Sequence, residues 1–136
     1  MSQPAKKVVH VAVGVVVQNQ CVLLAKRAQH QHQGGLWEFP GGKVEPNESV
    51  AHALTRELQE ELAIQVENCQ PLMEIRHDYS DKSVMLDVWV VDAFTGEPKG
   101  VEGQPLTWAS AAELGDFDFP EANVAIVEKV RQLLQG

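Results

Sequence analysis

Apolar residues recur at every second position over Val9, Val11, Val13, Val15 and Val17, with Val8, His10, Ala12, Gly14 and Val16 between them. β-Branched residues at period two predict a strand, and the small or apolar partners predict partial burial on both faces. Asn19-Gln20 reads as a turn, with Cys21–Ala25 as the returning strand. The polar stretch Lys26–Gly35 reads as an exposed loop, in which His30 and His32 are loop polarity because no further ligands accompany them. Leu36–Phe39 is a short extended piece, stopped by a glycine turn at Pro40-Gly41-Gly42. Glu48–Leu62, free of Gly and Pro, predicts the clearest helix, capped by Asn47 or Ser49. Met73–Phe94 predicts two longer strands joined around Ser80-Asp81, followed by a loop at Gly96–Gly103 and a short extended stretch at Pro105–Trp108. Glu121–Leu134 predicts an amphipathic helix whose candidate contacts are Val124, Ile126, Val127, Val130, Leu133 and Leu134. Hairpins plus two helices fit a mixed sheet covered by helices, an α/β (α+β) architecture.

One helix breaks its own pattern. With Glu57 at zero on a helical wheel, Val50, Leu54 and Leu58 fall at about 20°, 60° and 100°. Glu61 falls at about 40°, inside that apolar stripe, and Glu60 at about −60°, beside it. Like charges about 4–6 Å apart repel by a few kcal/mol per pair even at an effective dielectric near 20, and burial adds to this. Two readings follow: a solvated acidic face, or a site for a hard divalent cation whose oxygen ligands converge from i, i+3 and i+4. The preceding glycines favour the second, since they let the backbone approach a ligand closely and point a carbonyl inward. Lys43 adds a positive charge where phosphate would lie.

Length and charge narrow the picture. The chain has 136 residues, enough for one domain spanning 1–136. Eleven Lys+Arg against nineteen Asp+Glu give a formal charge of −8, which disfavours direct binding to a nucleic-acid backbone. No apolar run approaches a membrane span, and no secretory cleavage pattern follows Val8–Val17, so a cytoplasmic protein without membrane association is expected. Cys21 and Cys69 have no ligand spacing and are expected as buried free thiols. Asp78, Asp81, Asp87, Asp116 and Asp118 are read as turn and surface acids.

Gly42, Glu48, Arg56-Glu57-Leu58-Gln59-Glu60-Glu61-Leu62, Ala63 and Ile64 resemble the box of the Nudix hydrolases, here over residues 42–64. The family has glycine where Ala63 stands, a departure that bears on how the helix ends. The resemblance extends over nearly the whole chain toward the MutT-type 8-oxo-dGTP diphosphatases, through Trp37–Lys43, Glu102-Gly103-Gln104-Pro105 with Trp108, and Asp118–Asn123. It implies an α/β/α sandwich with a central mixed β-sheet. It also implies Mg²⁺ (with Mn²⁺ as a substitute) bound by the carbonyl of Gly41 and by Glu57, Glu60, Glu61 and Glu102.

The same resemblance makes Glu57 the base or a bridging carboxylate. Arg56, braced by Glu48, orients the site, and Lys43 assists near the reacting phosphate. Arg27, Phe39, Lys82 and Asn123 are the implied nucleotide contacts, with Asn123 reading the base. Lys82 stands where the relatives have arginine, and so keeps the charge but not the planar fork. The expected function is hydrolysis of a small-molecule nucleoside triphosphate, 8-oxo-dGTP, to the monophosphate and pyrophosphate by a monomer, so limiting mutagenic incorporation. The alternatives are a pyrophosphohydrolase of CTP or methylated pyrimidine nucleotides, and a nucleotide-sensing module without catalysis.

Overall fold

The computed structural model describes residues 7–27 and 35–135. His30 and His32 lie outside the described residues. The chain runs β1 (Lys7–Gln18), β2 (Cys21–Lys26), β3 (Trp37–Glu38), β4 (Gly41–Lys43), α1 (Val50–Leu62), β5 (Gln65–Asp78), β6 (Lys82–Thr95), β7 (Leu106–Ser110) and α2 (Val124–Gln135). The strands are ordered β3-β2-β1-β6-β5, with β4 also on β1 and β7 also on β2. β1 and β6 pair in parallel, from Lys7 opposite Lys82 to Val16 opposite Val91, while the other pairings are antiparallel. The sheet is therefore mixed.

Its two faces follow from the valine alternation. Val13 and Val15 join Leu86 and Val88 in one buried cluster with Ile126 and Val130 of α2. Ala12 and Val16 turn the other way and join Leu23 and Val91 against Ala53, Leu54, Leu58 and Leu62 of α1. A sheet flanked by α1 on one face and α2 on the other is an α/β/α sandwich.

The structure departs from the sequence reading at identifiable places. β5 begins at Gln65, well before Met73. It is an edge strand whose register breaks at Val66/Asn68, Asn68/Cys69 and Pro71/Met73, so its alternation is scrambled and Pro71 is tolerated. Gly41–Lys43 is a strand on β1 rather than a turn. The first helix starts at Val50, with Ser49 Oγ accepting from His52 N as its cap. In the last one, Glu121–Asn123 forms a 3-10 turn and the α-helix starts at Val124. Val124 and Leu133 are exposed instead of packed, because Ile126 and Val130 carry the buried contact. Cys21 and Cys69 are free but only half-buried. Asp87 is no surface acid: it accepts a hydrogen bond from the Trp89 indole N–H at 2.9 Å and pairs with His10 at 3.1 Å.

Helix α1 ends at Ala63, whose φ of 58° and ψ of 33° are left-handed, and whose N–H closes onto the Gln59 carbonyl. That conformation strains a residue with a Cβ by about 1–2 kcal/mol, while glycine's freer unfolded chain takes back part of the difference. Ala63→Gly is expected to stabilise the fold by up to about 1 kcal/mol. A higher midpoint of urea denaturation at unchanged slope is the expected readout, and an unchanged or lower midpoint contradicts it.

Candidate active site

The pairing of β4 with β1 lays the two glycines across α1. A Cβ on Gly42 would lie 2.3 Å from Cδ of Glu57 and 2.4 Å from its Oε2, so only a bare backbone admits this carboxylate. Arg56 fixes the junction. Its Nε and Nη2 each donate to a different oxygen of Glu48 at 2.9 Å, its Nη2 also donates to the Lys43 carbonyl at 3.1 Å, and its Nη1 donates to Glu57 Oε1 at 2.8 Å. One planar guanidinium thus ties the loop before α1, the end of β4 and the Glu57 carboxylate together, which a lysine ammonium cannot do. The hydrogen bonds from Arg56, together with the Glu45 backbone N–H, hold the Glu48 carboxyl down to about 2.

If Arg56 is a brace, Arg56→Lys and Arg56→Ala lower turnover by roughly tenfold to a hundredfold while nucleotide binding changes little. A direct phosphate ligand would lose binding and turnover together, so measuring KM beside kcat separates the two.

Four carboxylates share the neighbouring space. Burial, hydrogen bonding to Glu57 and the negative charges of Glu57, Glu38 and Glu102 push the Glu61 carboxyl up to about 9. Glu38 is also raised by burial, against the opposing pull of Arg27, whose guanidinium it binds. Glu60 departs from this group: its side chain is 60% exposed and lies 3.7 Å from Arg56 Nη1. Among the described residues, no three acidic, histidine or cysteine side chains are already drawn into ligating geometry. The chemistry of the donors nevertheless fits a hard divalent cation. Carboxylates offer the oxygen donors that such a cation takes, and their mutual repulsion, which pushes the Glu61 carboxyl upward, is what it would relieve.

Beside these acids lies a cleft of about 890 Å³. Glu61 and Glu102 line it, as do Gly41, Gly42 and the cations Lys26, Arg27, Lys43 and Lys82. Phe39 and Asn123 line it too. Phe39 is almost fully buried and stacks on Phe119 with ring centroids 5.5 Å apart, so it forms a wall rather than an open platform. Asn123 ends the 3-10 turn after Pro120, its N–H bonded to the Pro120 carbonyl at 2.9 Å. Arg56, Glu57 and Glu60 are not among the lining residues. Sequence reasoning missed Glu38, Lys26, Tyr79 and Gln104, which all line the cleft. For Glu38 and Lys26 a signal existed, since charged residues stand within or at the end of strand patterns there; Gln104 stood only as a neighbour of Glu102 in its loop, and Tyr79 gave none.

Comparison with known proteins places the chain in a family. Residues 12–129 match the NUDIX domain family. The chain is 36% identical over 128 residues to the 8-oxo-dGTP diphosphatase of Escherichia coli, covering 93% of this chain and 99% of that protein. It is 35% identical over 122 residues to the CTP pyrophosphohydrolase of the same organism, covering 90% of each. Among solved structures it is similar to MutT, from work on Aliivibrio salmonicida and Vibrio cholerae, with a TM-score of 0.81 and 38% identity over 93% of this chain and 99% of that one.

Proposed function

The chain belongs to the NUDIX family, and from that premise we propose that it hydrolyses 8-oxo-dGTP to 8-oxo-dGMP and pyrophosphate with Mg²⁺, or Mn²⁺ in its place, removing an oxidised precursor before DNA synthesis uses it. The observation that carries the reading is the lining of the cleft. The mutually repelling carboxylates of Glu38, Glu61 and Glu102 share it with four cations and with Asn123. A cleft of about 890 Å³ suits a ligand of nucleotide size. The similarity to an 8-oxo-dGTP diphosphatase over nearly the full length of both chains supports the base assignment. We infer further that the enzyme works in the cytoplasm, on free nucleotides, and as a monomer.

In this reading Glu57, Glu61 and Glu102, with the Gly41 carbonyl and the exposed Glu60, would hold the divalent cations. When bound, such ions neutralise phosphate charge and polarise the phosphorus toward attack by water. Glu57 would accept the proton of the attacking water or serve as a cation ligand, and Arg56 fixes its orientation through Oε1. Lys43 balances charge on the reacting phosphate, and Arg27 and Lys82 meet the rest of the nucleotide. Asn123 presents a donor and an acceptor to the base edge.

A second reading, hydrolysis of CTP, is favoured by the nearly equal likeness to the CTP pyrophosphohydrolase. The test is pyrophosphate release from 8-oxo-dGTP, dGTP, CTP, 5-methyl-dCTP and ADP-ribose at equal concentration with Mg²⁺. The expected result is a strong preference for 8-oxo-dGTP. A preference for CTP or 5-methyl-dCTP would transfer the protein to the second reading, and binding without turnover of any of them would leave only a sensing module.

A further inference from the structure

The loop after β6 is fastened to the end of the catalytic helix. An α-helix leaves its last carbonyls without partners of its own, and here the loop supplies them. Lys99 N donates to the Leu62 carbonyl at 2.9 Å, and Val101 N donates to the Glu61 carbonyl at 3.1 Å. The Gln104 side chain completes the attachment: Nε2 donates to the Glu61 carbonyl at 3.1 Å while Oε1 accepts from the Glu102 backbone N–H at 2.9 Å. One amide therefore bridges the backbones of the two residues whose carboxylates line the cleft from opposite elements. The turn beneath it is tight, since Gly103 N donates to the Gly100 carbonyl at 2.9 Å and a Cβ on Gly100 would lie 2.1 Å from the Gln104 carbonyl oxygen.

We propose that Gln104 is a positioning residue, holding the Glu102 carboxylate opposite Glu61 so that helix and loop grip the same divalent cation. Both polar atoms of the Gln104 side chain are taken up by backbone groups, so it acts through Glu102 and Glu61 by setting the distance between them. The proposal rests on the reading of Glu102 as a cation ligand. Its physical basis is that Glu102 comes from a loop with no regular structure, whose backbone freedom would otherwise have to be lost each time the cation bound. A clamp made before binding removes that loss, which strengthens cation affinity rather than the chemical step.

The test is Mn²⁺ binding to the nucleotide-free protein, followed by electron paramagnetic resonance, in wild type, Gln104→Ala, Gln104→Met, Glu102→Gln and the double variant Gln104→Ala with Glu102→Gln. Gln104→Met keeps the side chain's length, so a loss shared with Gln104→Ala comes from the amide and not from a hole. Both Gln104 variants are expected to weaken Mn²⁺ binding about tenfold, as removal of partners that orient ligands commonly does. In the Glu102→Gln background the Gln104→Ala change should add less than about twofold, because the positioned ligand is already gone. Wild-type affinity in both Gln104 variants, with Glu102→Gln weakened, overturns the positioning role alone. Fully additive losses in the double variant also overturn it. Wild-type affinity in Glu102→Gln overturns the ligand reading beneath it.

Discussion

Glu61→Gln is expected to lower turnover of the preferred nucleotide by roughly 10²- to 10⁴-fold, because a cation ligand supplies several kcal/mol of charge stabilisation and each 1.36 kcal/mol is tenfold in rate. Glutamine keeps the shape and removes the charge. The same substitution should stabilise the cation-free protein at alkaline pH. Burial and the surrounding carboxylates raise the Glu61 carboxyl from 4.5 to about 9. Below pH 4.5 folded and unfolded chains both hold this proton. Between 4.5 and about 9 the unfolded chain has released it while the folded one retains it, so stability falls as pH rises through that window. In EDTA, wild type should therefore lose thermal stability from pH 5 toward pH 9 more steeply than Glu61→Gln. Mg²⁺ should restore wild type at pH 8 and do little for the variant. Turnover near that of wild type, or parallel stability profiles in EDTA, would remove Glu61 from the site.

The second large effect concerns the base. Asn123→Ala is expected to lower kcat/KM on 8-oxo-dGTP by about 10²-fold or more while costing dGTP less than about tenfold. Oxidation places a carbonyl at C8 and turns N7 from acceptor to donor, so the two bases offer different edges. The Asn123 amide has both a donor and an acceptor. Its backbone is fixed by the 3-10 turn, with its own N–H bonded to the Pro120 carbonyl, and the residue lines the cleft. Each group left unpaired in a desolvated pocket costs about 1–3 kcal/mol, so losing two such bonds erases much of the discrimination. An equal loss on both nucleotides would make Asn123 a turn residue only.

The sequence by itself determined the elements whose patterns are local. The Val9–Val17 alternation specifies a strand buried on both faces, and the absence of Gly and Pro from Glu48–Leu62 specifies the helix that forms from Val50 as α1. The placement of Glu57 and Glu61 against the apolar stripe was legible because helical geometry relates residues three and four apart without reference to the rest of the fold. The reach of Arg56 to Glu48 is likewise visible at short range, within a single loop–helix junction. What the tertiary structure decided is everything that depends on distant partners. Gly41 and Gly42 read as a turn until β1 is there to pair with them, and only that pairing carries Gly42 against Glu57. The start of β5 was hidden because bulges break its period and an edge strand tolerates Pro71. Asp87 reads as a surface acid until the parallel register of β1 and β6 brings His10 beside it. Glu38 and Glu102 join Glu61 from two other elements, and Gln104 spans 43 residues to reach the Glu61 carbonyl. Periodicity encodes neighbours along an element; which carboxylates share a cleft is fixed only when the sheet brings separate segments to the same end of α1.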